Sequence, residues 1–195
     1  MKIASALPAH YAPLDSVDLQ KNKRLALLVN GLAFLIAVAM ALPVAFFVPI
    51  TALFDMESGY LPFFLRLGAL ALGSLAYIIL HELTHGVAMR LCGTKRVKYG
   101  FTGLYAFAGS DDYYGKGAYL FIALAPVVLF GVLLAVLAPI VPTSWFWVVY
   151  LIQISNISGA AGDFYVTVRF LRLPKEILVK DEGTSMTVYA PTPAE

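Results

Sequence analysis

The chain has little charge and almost no cysteine. Asp, Glu, Lys and Arg make up 13% of its residues, about half of the roughly 25% that is usual in soluble domains. Its one cysteine, Cys92, excludes an intrachain disulfide. A net charge of +2 gives no reason to expect a nucleic-acid partner. No internal repeat is visible, so one membrane domain with short tails accounts for the chain.

Apolar residues are abundant, at 60% of the chain against about 45–50% in soluble proteins. Residues 25–54 carry no charge and are long enough to cross a bilayer. Residues 117–162 are also uncharged, and prolines at 139 and 142 divide them into two spans. We therefore expect an all-α polytopic membrane protein with about four transmembrane helices, near residues 25–50, 61–90, 118–140 and 144–170.

The basic residues predict the orientation. Lys and Arg cluster before the first span, between spans two and three, and after span four, whereas the two opposite connections carry none. By the positive-inside rule, both termini lie in the cytosol. We expect a multi-pass protein of the cytoplasmic membrane with a cytosolic tail at 1–24, a membrane domain at 25–172 and a second cytosolic tail at 173–195.

Residues 97–108, between spans two and three, are aromatic, punctuated by glycine and partly alternating. This pattern favours a short β-hairpin or a re-entrant loop at the cytosolic interface. An exposed strand edge there could hold an extended peptide by β-augmentation. Equally, the segment could be an interfacial loop whose Tyr and Phe side chains sit among lipid headgroups.

An HExxH sequence, residues 81–85, lies at the end of the second apolar run. On a helix, His81 and His85 are one turn apart on the same face, so both can direct a ring nitrogen at one Zn²⁺. Glu82 lies about 100° further round the helix, where it can serve as general base for water. Charged groups are costly inside a membrane, which favours a functional site over chance. The motif predicts a hydrolytic zinc centre.

Two histidines leave a zinc site short of a ligand, and Asp163 is the acidic residue within a later span. It lies six residues before Arg169, while the two histidines lie five and nine residues before Arg90, so all three can share one depth. Small residues flanking Asp163 would allow close helix packing. Alternatively, Asp163 pairs with Arg169, or the ligand is Asp111 or Asp112, although both lie in a Gly- and Tyr-rich turn.

The chain resembles two groups of proteins at these residues. An HExxH on an early span and an Asp on a later one resemble the site-2 protease group of intramembrane zinc metallopeptidases. More closely, the chain is similar to a bacterial family of unknown function regarded as zincin peptidases, through residues 81–86 (HELTHG), 123–126 (ALAP), 162–165 (GDFY) and 180–183 (KDEG). The resemblance implies the same zinc ligands, the same base and a protease chemistry.

Two departures from the site-2 pattern limit that resemblance. The segment leading to Asp163 has no proline, and we expect no periplasmic recognition domain. Asn156, seven residues before Asp163, could position substrate as an Asn does in that group. The alternative is that Asn156 and Gln153 only form hydrogen bonds between helices.

These observations predict a zinc metallopeptidase that cleaves peptide bonds within or close beside the bilayer. Its partners are the lipid bilayer and a membrane-protein or peptide substrate. His81, His85 and Asp163 would hold Zn²⁺, and Glu82 would act as the base. Two other functions stay open: a membrane metal-binding or regulatory protein without turnover, and a small ion-coupled transporter that uses the same ionisable residues as a relay.

Overall fold

The computed structural model describes residues 3–57, 59–103 and 105–192. Most of the helical residues lie in four long helices, and a shorter fifth helix follows the fourth. In chain order the elements are β1 (Ile3–Ala4), β2 (Tyr11–Asp18), α1 (Lys23–Ala45), a 3₁₀ helix (Ile50–Phe54), α2 (Tyr60–Leu91), β3 (Lys98–Phe101), β4 (Ala106–Gly109), β5 (Tyr113–Gly115), α3 (Lys116–Leu137), α4 (Thr143–Gly159), α5 (Ala161–Leu171), β6 (Leu178–Asp181) and β7 (Ser185–Pro191).

The all-α fold class predicted from the sequence is wrong, because the chain contains an antiparallel sheet of five strands, ordered β1-β5-β6-β7-β2, and a separate pair, β3-β4. Four strands of the larger sheet come from the two terminal segments. Those strands are short, and their pairing joins residues far apart in sequence. Tyr11, for example, pairs with Pro191. Helical periodicity cannot reveal such pairing.

The five-stranded sheet belongs to a compact unit made of Met1–Val29, His81–Pro126 and Gly162–Glu195. Its central strand β6 is fully buried at Leu178 and Val179, and Val188 of β7 lies buried beside them. β2 forms one edge, which explains how it tolerates Pro13: a proline lacks the N–H that an interior strand would need. The strand has a register irregularity between Pro13 and Asp15.

The second unit comprises Asn30–Leu80 and Val127–Ala161 and is helical. Its core is formed by Leu53, Trp147, Val148 and Ile154. The indole N–H of Trp147 donates to the carbonyls of Val48 and Pro49, at 3.0 and 3.1 Å. These carbonyls directly precede the 3₁₀ helix, so the two hydrogen bonds attach α4 to the connection between α1 and α2.

Three helices, α1, α2 and α3, are long and apolar enough to cross a membrane. Their exposed surfaces are rich in Leu, Phe and Val, as expected of side chains that face lipid. The fourth predicted span is divided: α4 ends at Gly159, and α5 begins at Ala161. The run of small residues at 159–162 lies at this division, and it places Asp163 in the first turn of α5.

Candidate metal centre

Two imidazole rings meet on one face of α2. His81 and His85 are one helical turn apart, and their Nε2 atoms lie 3.1 Å from each other. His81 is 8% exposed, and the two rings pack edge to face with centroids 4.8 Å apart. The helix periodicity of the HExxH sequence therefore produces the convergence of nitrogen atoms that it predicts.

Asp163 completes a group of three. Its Oδ2 lies 3.5 Å from His81 Nε2, and its Oδ1 lies 3.6 Å from His85 Nε2. Asp163 lies in the first turn of α5. The predicted ligand Asp163 therefore lies next to the two histidines, at the start of the helix that follows the α4–α5 division.

The separations of these donor atoms are close to those around a zinc ion. Ligand bonds of about 2.0–2.2 Å at tetrahedral angles place donor atoms about 3.3–3.5 Å apart. The two Nε2 atoms lie 3.1 Å apart, and the separations of 3.5 and 3.6 Å run from them to different oxygens of Asp163. With one donor atom per residue, the three atoms all lie within 4.8 Å of one another. Among the described residues, this is the group of His, Cys, Asp and Glu side chains that could hold a metal ion. Three protein ligands would leave one tetrahedral position for water or substrate.

A backbone carbonyl orients His85. The ring Nδ1 lies 2.9 Å from the carbonyl oxygen of Ile122 in α3. Since a carbonyl can only accept, the hydrogen belongs to Nδ1. In the neutral ring, Nε2 is then left with a lone pair, which faces Asp163 and His81. This is the tautomer that a metal ligand requires.

Glu82 lies beside the three ligands and outside their group. Its carboxylate interacts electrostatically with both histidines and Asp163, and it accepts a hydrogen bond from the backbone of Ala108 in β4. Close packing between α2 and the β3–β4 hairpin makes this possible: at Gly86, a Cβ atom would overlap the Tyr99 hydroxyl of β3. Glycine directly after the HExxH sequence therefore lets the hairpin approach the site.

Asp181 is a buried acid near the site that sequence reasoning did not select. The Tyr119 hydroxyl donates to its Oδ2 at 3.1 Å, and the Gly183 N–H donates to its Oδ1 at 2.8 Å. Burial raises the pKa of Asp181 to about 7, against the opposing effects of the Gly183 N–H and the nearby His85. The signal for Asp181 in the sequence is the KDEG segment at 180–183, which is part of the resemblance to the zincin family.

This carboxyl group predicts a stability that depends on pH. Because the folded-state pKa is about 7 and the ordinary value for Asp is 3.8, its contribution to the stability of the folded state is fully present below about pH 4 and is lost as the pH rises through 7. Asp181→Asn should flatten the fall in unfolding temperature between pH 5 and pH 8 in zinc-free protein. The unfolding temperature at each pH is measured by scanning fluorimetry of the Trp signal.

Asp111→Asn is the matched control, because Lys98 lowers the pKa of Asp111 and keeps its titration below that pH window. An equally steep fall for Asp181→Asn and the wild type would contradict the assignment. The zinc-free form is required because a cation beside His85 would itself stabilise the Asp181 carboxylate.

Comparison with known proteins identifies the family. The family model DUF3267, described as "Putative zincin peptidase", matches residues 74–178, just over half of the chain. The protein belongs to this family. An uncharacterised 24.7 kDa protein in the gap 5′ region of Pyrococcus woesei is 30% identical over 129 residues, which cover 64% of this chain and 56% of that protein. No solved structure matches.

Membership in the DUF3267 family confirms the predicted resemblance to zincin peptidases. The matched region contains the HExxH sequence and Asp163, whereas Asp181 lies just beyond its end. The family description points to a zinc metallopeptidase. The name of the Pyrococcus woesei relative states no activity. The aligned segment spans a little over half of that protein's length.

The two alternative ligands, Asp111 and Asp112, lie outside the group formed by His81, His85 and Asp163. Asp111 is exposed and forms an ion pair with Lys98 at 2.7 Å. Asp111 and Asp112 line a cavity of about 500 Å³ together with Lys95 and Arg96. The backbone N–H of Asp112 donates to Ser110 Oγ at 3.2 Å, as is typical of a turn.

Asn156 lies in the helical unit, where it is fully buried. Its Oδ1 accepts a hydrogen bond from the Tyr77 hydroxyl at 3.0 Å, and its Nδ2 donates to the Val127 carbonyl at 3.3 Å and to Gln153 Oε1 at 3.4 Å. These bonds join α4 to α2 and α3. They agree with the inter-helix alternative, while the substrate-positioning role stays a prediction.

Proposed function

We propose that the protein is a membrane-embedded zinc endopeptidase that hydrolyses peptide bonds within or close beside the bilayer. The observation that carries this proposal is the convergence of three donor atoms of His81, His85 and Asp163 beside the carboxylate of Glu82. Family membership supports the metallopeptidase class. The length and hydropathy of α2, which carries the HExxH sequence, support a membrane location.

The roles of the side chains follow from their chemistry. His81, His85 and Asp163 would hold the ion. When bound, Zn²⁺ would lower the pKa of a water molecule and polarise the carbonyl of the scissile bond. Glu82, held by the Ala108 backbone, would take the proton as the water oxygen attacks the carbonyl carbon. It would then pass the proton to the nitrogen as the C–N bond breaks.

The outer edge of β4 supports an extended peptide as substrate. The Thr102 N–H donates to the Tyr105 carbonyl. With the observed register, the backbone N–H and C=O groups of Ala106 and Ala108 therefore face away from β3. The backbone of Ala108 donates a hydrogen bond to Glu82. Within the described ranges, β4 pairs only with β3. A substrate strand at this edge would lie next to the base, by β-augmentation.

The sheet also supports the proposed orientation. β2 and β7 come from opposite ends of the chain and pair along seven residue positions. In a membrane-embedded protein, the two terminal segments would therefore lie on the same side of the bilayer. The Lys and Arg distribution favours the cytosolic side.

Zinc removal and return test the proposed activity. Purified protein is reconstituted with a mixture of synthetic transmembrane peptides in lipid vesicles, and mass spectrometry records the cleaved bonds. We expect cleavage to stop when a chelator strips the protein and to return with about one zinc per chain. Cleavage that survives complete removal of zinc would contradict the proposal. Stoichiometric zinc binding with no cleaved bond, in these peptides or in cell membranes, would favour a catalytically silent metal-binding protein.

A further inference from the structure

A proline lies four residues after the carbonyl that orients His85. Pro126 is inside α3, and it has no N–H. In an α-helix, the N–H of residue 126 would donate to the carbonyl of residue 122. The helix therefore leaves Ile122 without its usual i+4 donor. His85 Nδ1 lies 2.9 Å from that carbonyl oxygen.

We propose that Pro126 is a positioning residue of the metal centre, acting through the carbonyl that it frees. The Ile122 carbonyl takes the Nδ1 hydrogen of His85, sets the orientation of the ring and leaves the Nε2 lone pair directed at Asp163 and His81. This inference rests on the proposed zinc site, since it explains how one ligand of that site is oriented. It assigns a function to a proline that would otherwise only weaken α3.

Burial strengthens this arrangement. Ile122 is 1% exposed and its neighbour Ala123 is 3% exposed, so protein groups must satisfy the freed carbonyl where water has little access. A proline in a membrane helix is tolerated when neighbouring groups satisfy the freed backbone. Here the histidine gains a fixed tautomer and the helix gains a donor. Each group supplies what the other lacks.

Pro126→Ala tests the arrangement, because alanine restores an N–H that competes with His85 for the Ile122 carbonyl. The dissociation constant for zinc should rise about 10–100-fold, as found when outer partners of metal-bound histidines are removed. The unfolding temperature of the zinc-free variant should stay equal or rise, since alanine favours the helix. Zinc affinity is measured by competition with a chromogenic chelator, and unfolding by scanning fluorimetry.

Pro43→Ala is the matched control, because Pro43 also lies inside a helix, α1. This variant should leave the zinc dissociation constant unchanged. An unchanged constant in Pro126→Ala, with the wild type binding zinc normally, would overturn the inference and leave the proposed function intact. Equal weakening in both proline variants would also overturn it, because the effect would then be a general consequence of altered helices.

A measurement on the wild type needs no variant. Nitrogen-15 NMR of histidine-labelled, zinc-free protein, recorded at alkaline pH where imidazoles are neutral, reports which ring nitrogen carries hydrogen. We expect His85 to carry it on Nδ1 and to lose this preference in Pro126→Ala. Hydrogen on Nε2 in the wild type would overturn the inference. Wild-type protein that binds no zinc, yet shows the Nδ1 tautomer, would instead contradict the proposed function.

Discussion

Glu82→Gln should retain bound zinc and a folded structure while peptide hydrolysis falls about 10²–10⁴-fold, the usual contribution of a general base. Glutamine matches glutamate in shape, and its Oε1 can still accept the hydrogen bond from Ala108. It cannot take a proton from water. The effect should appear in kcat with little change in KM, because the lost interaction belongs to the transition state.

Glu57→Gln serves as the control for this substitution, since Glu57 is exposed and lies in the connection between α1 and α2. Zinc content and unfolding temperature establish that the Glu82 variant is intact. In cells, Glu82→Gln should also accumulate uncleaved membrane substrates, which quantitative proteomics detects. Wild-type levels of cleavage fragments in these cells, together with a phenotype in His81→Ala cells, would refute the peptidase proposal in favour of metal binding alone.

Asp163→Ala should lose most of its zinc. The wild type should carry about one zinc per chain, held by two imidazoles and one carboxylate. Removing the carboxylate takes away a ligand and the only negative charge in the group of three. The loss of affinity should therefore exceed the roughly 10–100-fold that removal of an outer partner costs. Elemental analysis after dialysis against a weak chelator measures the retained metal.

Asp112→Ala is the matched control for the carboxylate, and His10→Ala is the control for the imidazoles. Asp112 lies by the cavity lined by Lys95 and Arg96, and His10 packs against Tyr11. Both variants should retain wild-type zinc, whereas His81→Ala should be largely empty. Full zinc and full activity in Asp163→Ala, with losses in Asp112→Ala, would show that the third ligand is Asp112.

The metal group could be predicted because its parts leave local or compositional signals. HExxH places two histidines on one helix face by periodicity alone. Asp163 stood out because an ionisable residue within an apolar run is costly and rare. The orienting contact was not predictable in this way. The sequence shows that Pro126 lies in an apolar run. Which donor binds the freed Ile122 carbonyl depends on how α2 and α3 pack.

The amino-acid sequence by itself determined the apolar helices, the spacing of the two histidines and the family of the chain, because each depends on composition, local periodicity or a short motif. Only the tertiary structure decided that the terminal segments pair as β2 and β7, that the fourth apolar run divides before Asp163, and that Asp181 is buried near the site. Strand pairing and burial depend on contacts between residues distant in sequence. A short segment of sequence does not contain both partners of such a contact, so local patterns cannot predict it.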